Sequence, residues 1–255
     1  MYLNCHSAFS FKYGTLSILR LFDEARRCGV HKLVLTEINN TSSYIEMLRL
    51  CAEKAPLQES NLTAYGKEAY PLEIAVGIEF RKENELLYIA IAQNNIGFEK
   101  INRFLSHHNL ENKPLASWAP EFENVFIIYP YGKIEPYQLR PYEYIGVVKH
   151  QLNQFAIDPT RKTHGEKFVV LHPVTFASKT DYNVHRLLRA IDNNTLLSKL
   201  HPEQQAHPEE IMMPEGELEK CFQHYPDLIQ NAKNISPNIN YLFIPIILFI
   251  LFVIG

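Results

Sequence analysis

The sequence predicts a distorted seven-stranded α/β barrel, and three observations carry that prediction. Short runs rich in strand formers alternate with runs of helical periodicity. Several of the strand candidates are continuous apolar runs, which suits parallel strands buried on both faces. The alternation loosens in the middle, where strands near Val125 and Tyr144 have only short connections, so the barrel is expected to be irregular. A doubly wound open sheet is the second choice. At 255 residues and 46% hydrophobic content, the chain can bury one large core.

The elements follow in order. MYLNCH reads as the first strand. In LSILRLFDEARRCG, Ile18, Leu19, Phe22 and Ala25 form an apolar stripe at helical spacing, with Gly29 suited to the C′ position. KLVLTE is a second strand, ended by the turn-forming pair Asn39-Asn40. Thr41 or Ser42 is placed to cap the helix YIEMLRLCAEKA through its hydroxyl. Residues 56–71 lack periodicity and read as an excursion. LEIAVGIEF, ELLYIAIAQ, NVFIIYP, YIGVV and KFVVLH complete the seven strands. GFEKINRFLSHH, DYNVHRLLRAIDN and GELEKCFQHYPDLIQNAKNI read as helices. From Tyr241 the chain turns to YLFIPIILFILFVIG, uncharged and almost wholly apolar. Two units are therefore expected: a domain over 1–235 and a hydrophobic tail over 236–255. The tail is shorter than the ~20 apolar residues of a spanning helix and is interrupted by Pro245, so no membrane role is favoured.

Composition excludes several classes. A net charge of −3 gives no electrostatic case for wrapping nucleic acid. Cys5, Cys28, Cys51 and Cys221 lie far apart, which argues against a zinc knuckle or disulfide scaffold and suits the cytoplasm. No signal peptide, G-x-S-x-G, phosphate-cradling glycine loop or H-E-x-x-H is present.

Chemistry in an α/β barrel gathers where strands end. Those ends carry Asn4-Cys5-His6, Glu37-Ile38-Asn39, Gly77-Ile78-Glu79 and His172-Pro173-Val174-Thr175. His6 and Glu79 suit zinc or manganese, and Glu37 could join them. Taken singly, each has a plainer reading: His6 as a hydrogen-bonded structural histidine, Glu79 as the partner of a neighbouring Arg or Lys. His107-His108 read as a helix end and His185 as structural.

YLNCHSAFSFKYGTLS, LVLTEINNTS, VGIEF and LYIAIAQNNIGFEKIN, in this order, resemble the N-terminal PHP (polymerase and histidinol phosphatase) domain of the bacterial DNA polymerase III alpha subunit. The resemblance extends through FVVLHPVTFASKTDYNVHRLLRAIDNNTLLSKL and a closing helix to about Ile235. It implies a PHP-like barrel and, in metal-binding members, H-x-H at the first strand end, where this chain has Asn4 and His6. Asp-His after the second strand corresponds to Glu37-Ile38, and the acidic residue after the third to Glu79. The fourth-strand His falls near Leu87, and the last Asp-x-His falls on Pro173 and Thr175.

The resemblance thus implies a relic metal site of His6, Glu37 and Glu79 in one polar cavity, with no tightly bound cofactor and at most residual zinc or manganese. It implies no catalytic residue in this chain, whose polymerase palm would lie downstream. The expected part is then structural, with the remaining polymerase domains and replisome subunits as partners and DNA only indirectly. The abrupt tail is expected to reflect a truncated or frameshifted continuation. A metal-dependent PHP phosphoesterase or 3′–5′ exonuclease is the alternative, and a non-catalytic membrane-tethered module is a third class.

Overall fold

In a computed structural model, residues 1–54 and 70–235 are described. The excursion expected over 56–71 and the apolar tail over 236–255 therefore fall wholly or almost wholly outside the described residues.

All seven strands form, and they make one sheet in chain order: β1 Tyr2–Cys5, β2 Lys32–Ile38, β3 Glu73–Lys82, β4 Glu85–Ala92, β5 Val125–Pro130, β6 Glu143–Val147 and β7 Phe168–Val170. The sheet curls toward closure beyond β7. Val174 bridges Cys5 in parallel, with His6 N–H donating to Val174 O at 2.8 Å and Val174 N–H to Asn4 O at 2.9 Å. The polar residues just after β1 therefore meet the segment just after β7.

The expectation of parallel strands holds on either side of β4 and fails at β4. β1–β2–β3 and β5–β6–β7 are parallel, but β4 is antiparallel to both of its neighbours. Continuous apolar runs report burial on both faces, and the β4 flanks are so buried, but burial is blind to strand direction. The β3–β4 connection is a tight hairpin, with Glu83 in the left-handed region at φ 54°. Within it the ladder slips by one residue between Phe80 and Arg81, so that Arg81 pairs Leu86, Phe80 pairs Tyr88, and Leu87 is skipped.

Helices cover the outside. α1 Ile18–Arg27 opens on Ser17, whose hydroxyl accepts from Arg20 N–H at 3.2 Å, and ends on Cys28 followed by Gly29 at φ 66°. Its Ile18, Leu21, Phe22 and Ala25 are buried. α2 Tyr44–Lys54 is not capped as expected. The Thr41 hydroxyl donates instead to Asn102 Oδ1 at 2.8 Å, and the residue directly before the helix is Ser43. α3 Asn95–Glu111 is capped by Asn94, which accepts from Ile96 and Gly97 N–H. His107 and His108 lie in its last turns, with His108 Nδ1 3.0 Å from Phe104 O.

Between β6 and β7 run the short helices α4 Leu152–Ala156 and α5 Thr160–Thr163, and α6 Lys179–Asp192 follows the closure segment. The closing helix is two helices, α7 Glu215–Cys221 and α8 Pro226–Ile235. Pro226 cannot extend the preceding turn but suits a first helical position. α8 packs on β7, where Asn231 Nδ2 donates to Phe168 O at 2.8 Å and Gly165 O at 2.9 Å. No helix among the described residues is long and apolar enough to cross a membrane.

Candidate functional site at the barrel mouth

The parallel register of β2 and β3 decides which side chains meet. Thr36 pairs with Gly77 and Ile38 with Glu79, so these four share a face, while Glu37 pairs with Ile78 on the other. Gly77 is needed on the first face: a Cβ there would sit 2.5 Å from Ala90 O and 2.9 Å from Thr36 Cγ2. Thr36 could not then hold its place beside β1.

On that face Glu79 is the centre of a buried ionic cluster. Its Oε2 accepts from Asn4 Nδ2 at 2.7 Å and faces His6 Nε2 at 3.0 Å. Its Oε1 accepts from Arg81 Nε in an ion pair. Asn4 is oriented by Thr36, whose hydroxyl donates to Asn4 Oδ1 at 2.8 Å. Burial alone would raise the Glu79 pKa, but the charges of Arg81 and His6 and the hydrogen bonds of His6 and Asn4 outweigh it. The carboxyl is held well below its ordinary range. Glu79 in turn raises the Arg81 pKa against the opposing effect of burial.

His6 is engaged at both nitrogens. Nδ1 lies 3.1 Å from Thr175 Oγ1, and Thr175 donates its hydroxyl proton to Glu210 Oε2 at 2.5 Å. The Thr175 oxygen is left to accept, so Nδ1 donates to it, while Nε2 faces a carboxylate that can only accept. Both ring nitrogens are thereby taken up within the protein.

Tyr13 fills the space above. It is 3% exposed, packs edge-on against His6 with ring centroids 5.4 Å apart, and its Oη accepts from an Arg81 terminal nitrogen at 2.9 Å. The guanidinium of Arg81 lies 4.4 Å from the ring centroid and that of Arg189 5.4 Å. Behind Tyr13 stand buried Phe176 and Ala206, with Ile38, Tyr182 and Ile211 against them. His185 fixes the loop from α6, as its structural reading expects. Its Nε2 accepts from Ala206 N–H at 2.8 Å, so Nδ1 donates to Tyr13 O at 2.7 Å, and burial lowers its pKa to about 4.

Of the three expected ligands, the fold brings His6 and Glu79 together and sends Glu37 elsewhere. Glu37 accepts from Ser7 N–H at 3.1 and 3.2 Å, from the Ser7 hydroxyl, from Ser10 Oγ at 2.5 Å and from Ser43 Oγ at 2.6 Å. This serine cradle lies on the side covered by α2. The expectation of one cavity shared by all three is corrected by the pleat, because consecutive strand residues point apart. Ile38, one residue on, is the β2 side chain that reaches the Tyr13 cluster.

The other positions hold no better donors. Leu87 is a buried apolar residue at the bulge, and Thr175 is bonded between His6 and Glu210. Among the described residues no three His, Cys, Asp or Glu converge to hold a metal. A metal of the kind the resemblance implies does not fit these residues, because every polar atom of Asn4, His6 and Glu79 near the centre is already bonded within the protein.

Sequence reasoning missed Tyr13, Thr36 and Glu210, and named Arg81 only as a neighbouring Arg or Lys. Glu79 and Arg81 two apart on one strand was the available signal. Nothing local marks the rest; Glu210, for one, is linked to His6 only through Thr175, from far along the chain.

An α/β barrel of seven curled strands with its polar centre at the strand ends defines the class. Within that class, the sequence profile of the PHP domain matches residues 3–135, more than half of the chain, and the chain belongs to the PHP domain family. A comparison with curated proteins returns no match.

Proposed function

We propose that this chain is the N-terminal PHP region of a replicative DNA polymerase III alpha subunit, acting there as a structural rather than a catalytic barrel. The observation that carries the structural part is the Glu79 cluster: Asn4, His6 and Arg81 take up both carboxylate oxygens, with no donor set left for a metal pair. Clamping attacking and leaving oxygens of a phosphoester takes ions held ~3.5–4 Å apart by several ligands each. The polymerase part is supported by the ordered resemblance along YLNCHSAFSFKYGTLS, LVLTEINNTS and the later segments. On this reading the partners are the other polymerase domains and replisome subunits, and zinc or manganese binds weakly if at all.

Membership of the PHP domain family favours a second reading, a phosphoesterase-like function. One experiment separates the two. The purified chain is analysed for bound metal and assayed on p-nitrophenyl phosphate and single-stranded DNA with added manganese or zinc. Turnover at the level of a no-protein control is expected, and metal-dependent turnover abolished by His6→Ala would establish the phosphoesterase instead. For the polymerase assignment, residues 1–235 replace the PHP region of an active alpha subunit. Primer extension near the parent rate is the expected outcome, and an insoluble or inactive chimaera would count against it.

A further inference from the structure

The position that could have received a cation from solvent already contains one from the chain. Arg81 follows Glu79 by two residues on β3, and the one-residue slip against β4 falls between Phe80 and Arg81. The Arg81 side chain is 14% exposed and Glu79 1%, so the pair is largely shielded from water. A guanidinium stays protonated under any condition the protein meets, and its planar fork suits one carboxylate oxygen and one phenol at once. Through Glu79 it is tied to β1 by way of Asn4 and His6. Through Tyr13 it is tied to the loop after β1, and through His6 and Thr175 to Glu210. A metal ion at strand ends does the same two things: it neutralises carboxylates and cross-links loops.

We infer that Arg81 is a built-in counter-cation standing in place of a divalent metal, so the barrel mouth keeps its shape without an ion and accepts one only when Arg81 is removed. This rests on the structural reading of the barrel proposed above. It adds which residue makes that barrel metal-independent. A buried carboxylate stripped of its partner is strongly destabilising, and His6 and Glu79 would then form a weak two-ligand site open to zinc.

The test is thermal unfolding of the full chain in EDTA and in excess zinc chloride. The wild type is expected to melt at the same temperature in both. Arg81→Ala should melt lower by roughly 8 °C in EDTA, taking the usual cost of breaking a buried pair, and recover part of that loss in zinc. Arg81→Ala with Glu79→Gln, which removes both charges, should be more stable than Arg81→Ala alone and blind to zinc. If Arg81→Ala does not fold, Arg81→Gln is read in its place. A zinc shift in the wild type, or no difference in zinc response between single and double variants, overturns the inference. Metal-dependent phosphoester turnover by the wild type would instead overturn the structural reading. An inert wild type with a zinc-blind Arg81→Ala overturns the inference alone.

Discussion

Glu37 and Glu79 are both buried, and both lie near the end of the ladder shared by two neighbouring parallel strands, yet they are stabilised in opposite ways. Glu79 is met by a guanidinium, an imidazole and an amide, whereas Glu37 is met only by serine hydroxyls and a backbone N–H. The difference comes from register. Glu79 faces the mouth, where β1, the loop after it and the closure segment converge, and Glu37 faces the α2 side. A charged cradle holds a carboxylate through Coulomb attraction in a low-dielectric surrounding, while a hydroxyl cradle holds it through hydrogen bonds alone. The two should therefore respond differently when the charge is removed.

The largest effect is expected from neutralising each carboxylate in turn. Glu79→Gln leaves Arg81 and His6 without their counter-charge and should cost about 3–5 kcal/mol. Glu37→Gln keeps an acceptor oxygen for the serines but turns the other position into a donor facing donors, costing about 1–3 kcal/mol. Urea denaturation of both variants measures this. Equal losses, or a greater loss at Glu37, would break the comparison.

The seven strands were legible because each is an apolar run bounded by turn residues, and the C-terminal end of α1 was legible because Gly29 acts locally. Strand direction was not, since β4 is as apolar as the parallel strands of the sheet and only the short Glu83-Asn84 turn marks the reversal. At the site, His6 and Glu79 followed from the strand ends. Glu37 was misplaced because a strand end fixes position along the barrel axis but not which face a residue takes; register and parity decide that. Tyr13 and Glu210 come from loops whose placement depends on packing by α6 and the closure segment, so no local pattern encodes them.

Acid sharpens the contrast through Tyr13, which belongs to the Glu79 side by way of Arg81. His185 holds Tyr13 O as a neutral ring, and burial lowers its pKa to about 4. Between pH 6.5 and 4 the unfolded chain takes up a proton that the folded chain does not. Stability should then fall with pH across that window by about 3 kcal/mol. His185→Gln should flatten this slope in urea melts taken at successive pH values. The lowered Glu79 pKa acts further down: its contribution is complete above the unfolded value near 4.5 and declines as pH falls below it. Glu79→Gln should remove that lower phase, and a lower phase that persists would mean another carboxylate carries it.

The smallest effect is expected at Ser43. Its hydroxyl donates to Glu37 Oε1 at 2.6 Å, while its carbonyl accepts from Met47 N–H at 3.0 Å at the start of α2. Ser43→Ala keeps the carbonyl and removes one donor of several. Ser7 still supplies Glu37 Oε1 from its backbone N–H and its hydroxyl, and Ser10 supplies Oε2. No buried charge loses its only partner, so the cost should be about 1 kcal/mol, that of one hydrogen bond to a charged group with partial compensation. A redundant hydroxyl cradle is tolerant in a way that a cluster with a single guanidinium is not. A loss at Ser43 as large as that of Glu79→Gln would show that the serines act as one unit, with Glu37 bound as tightly as its charged neighbour.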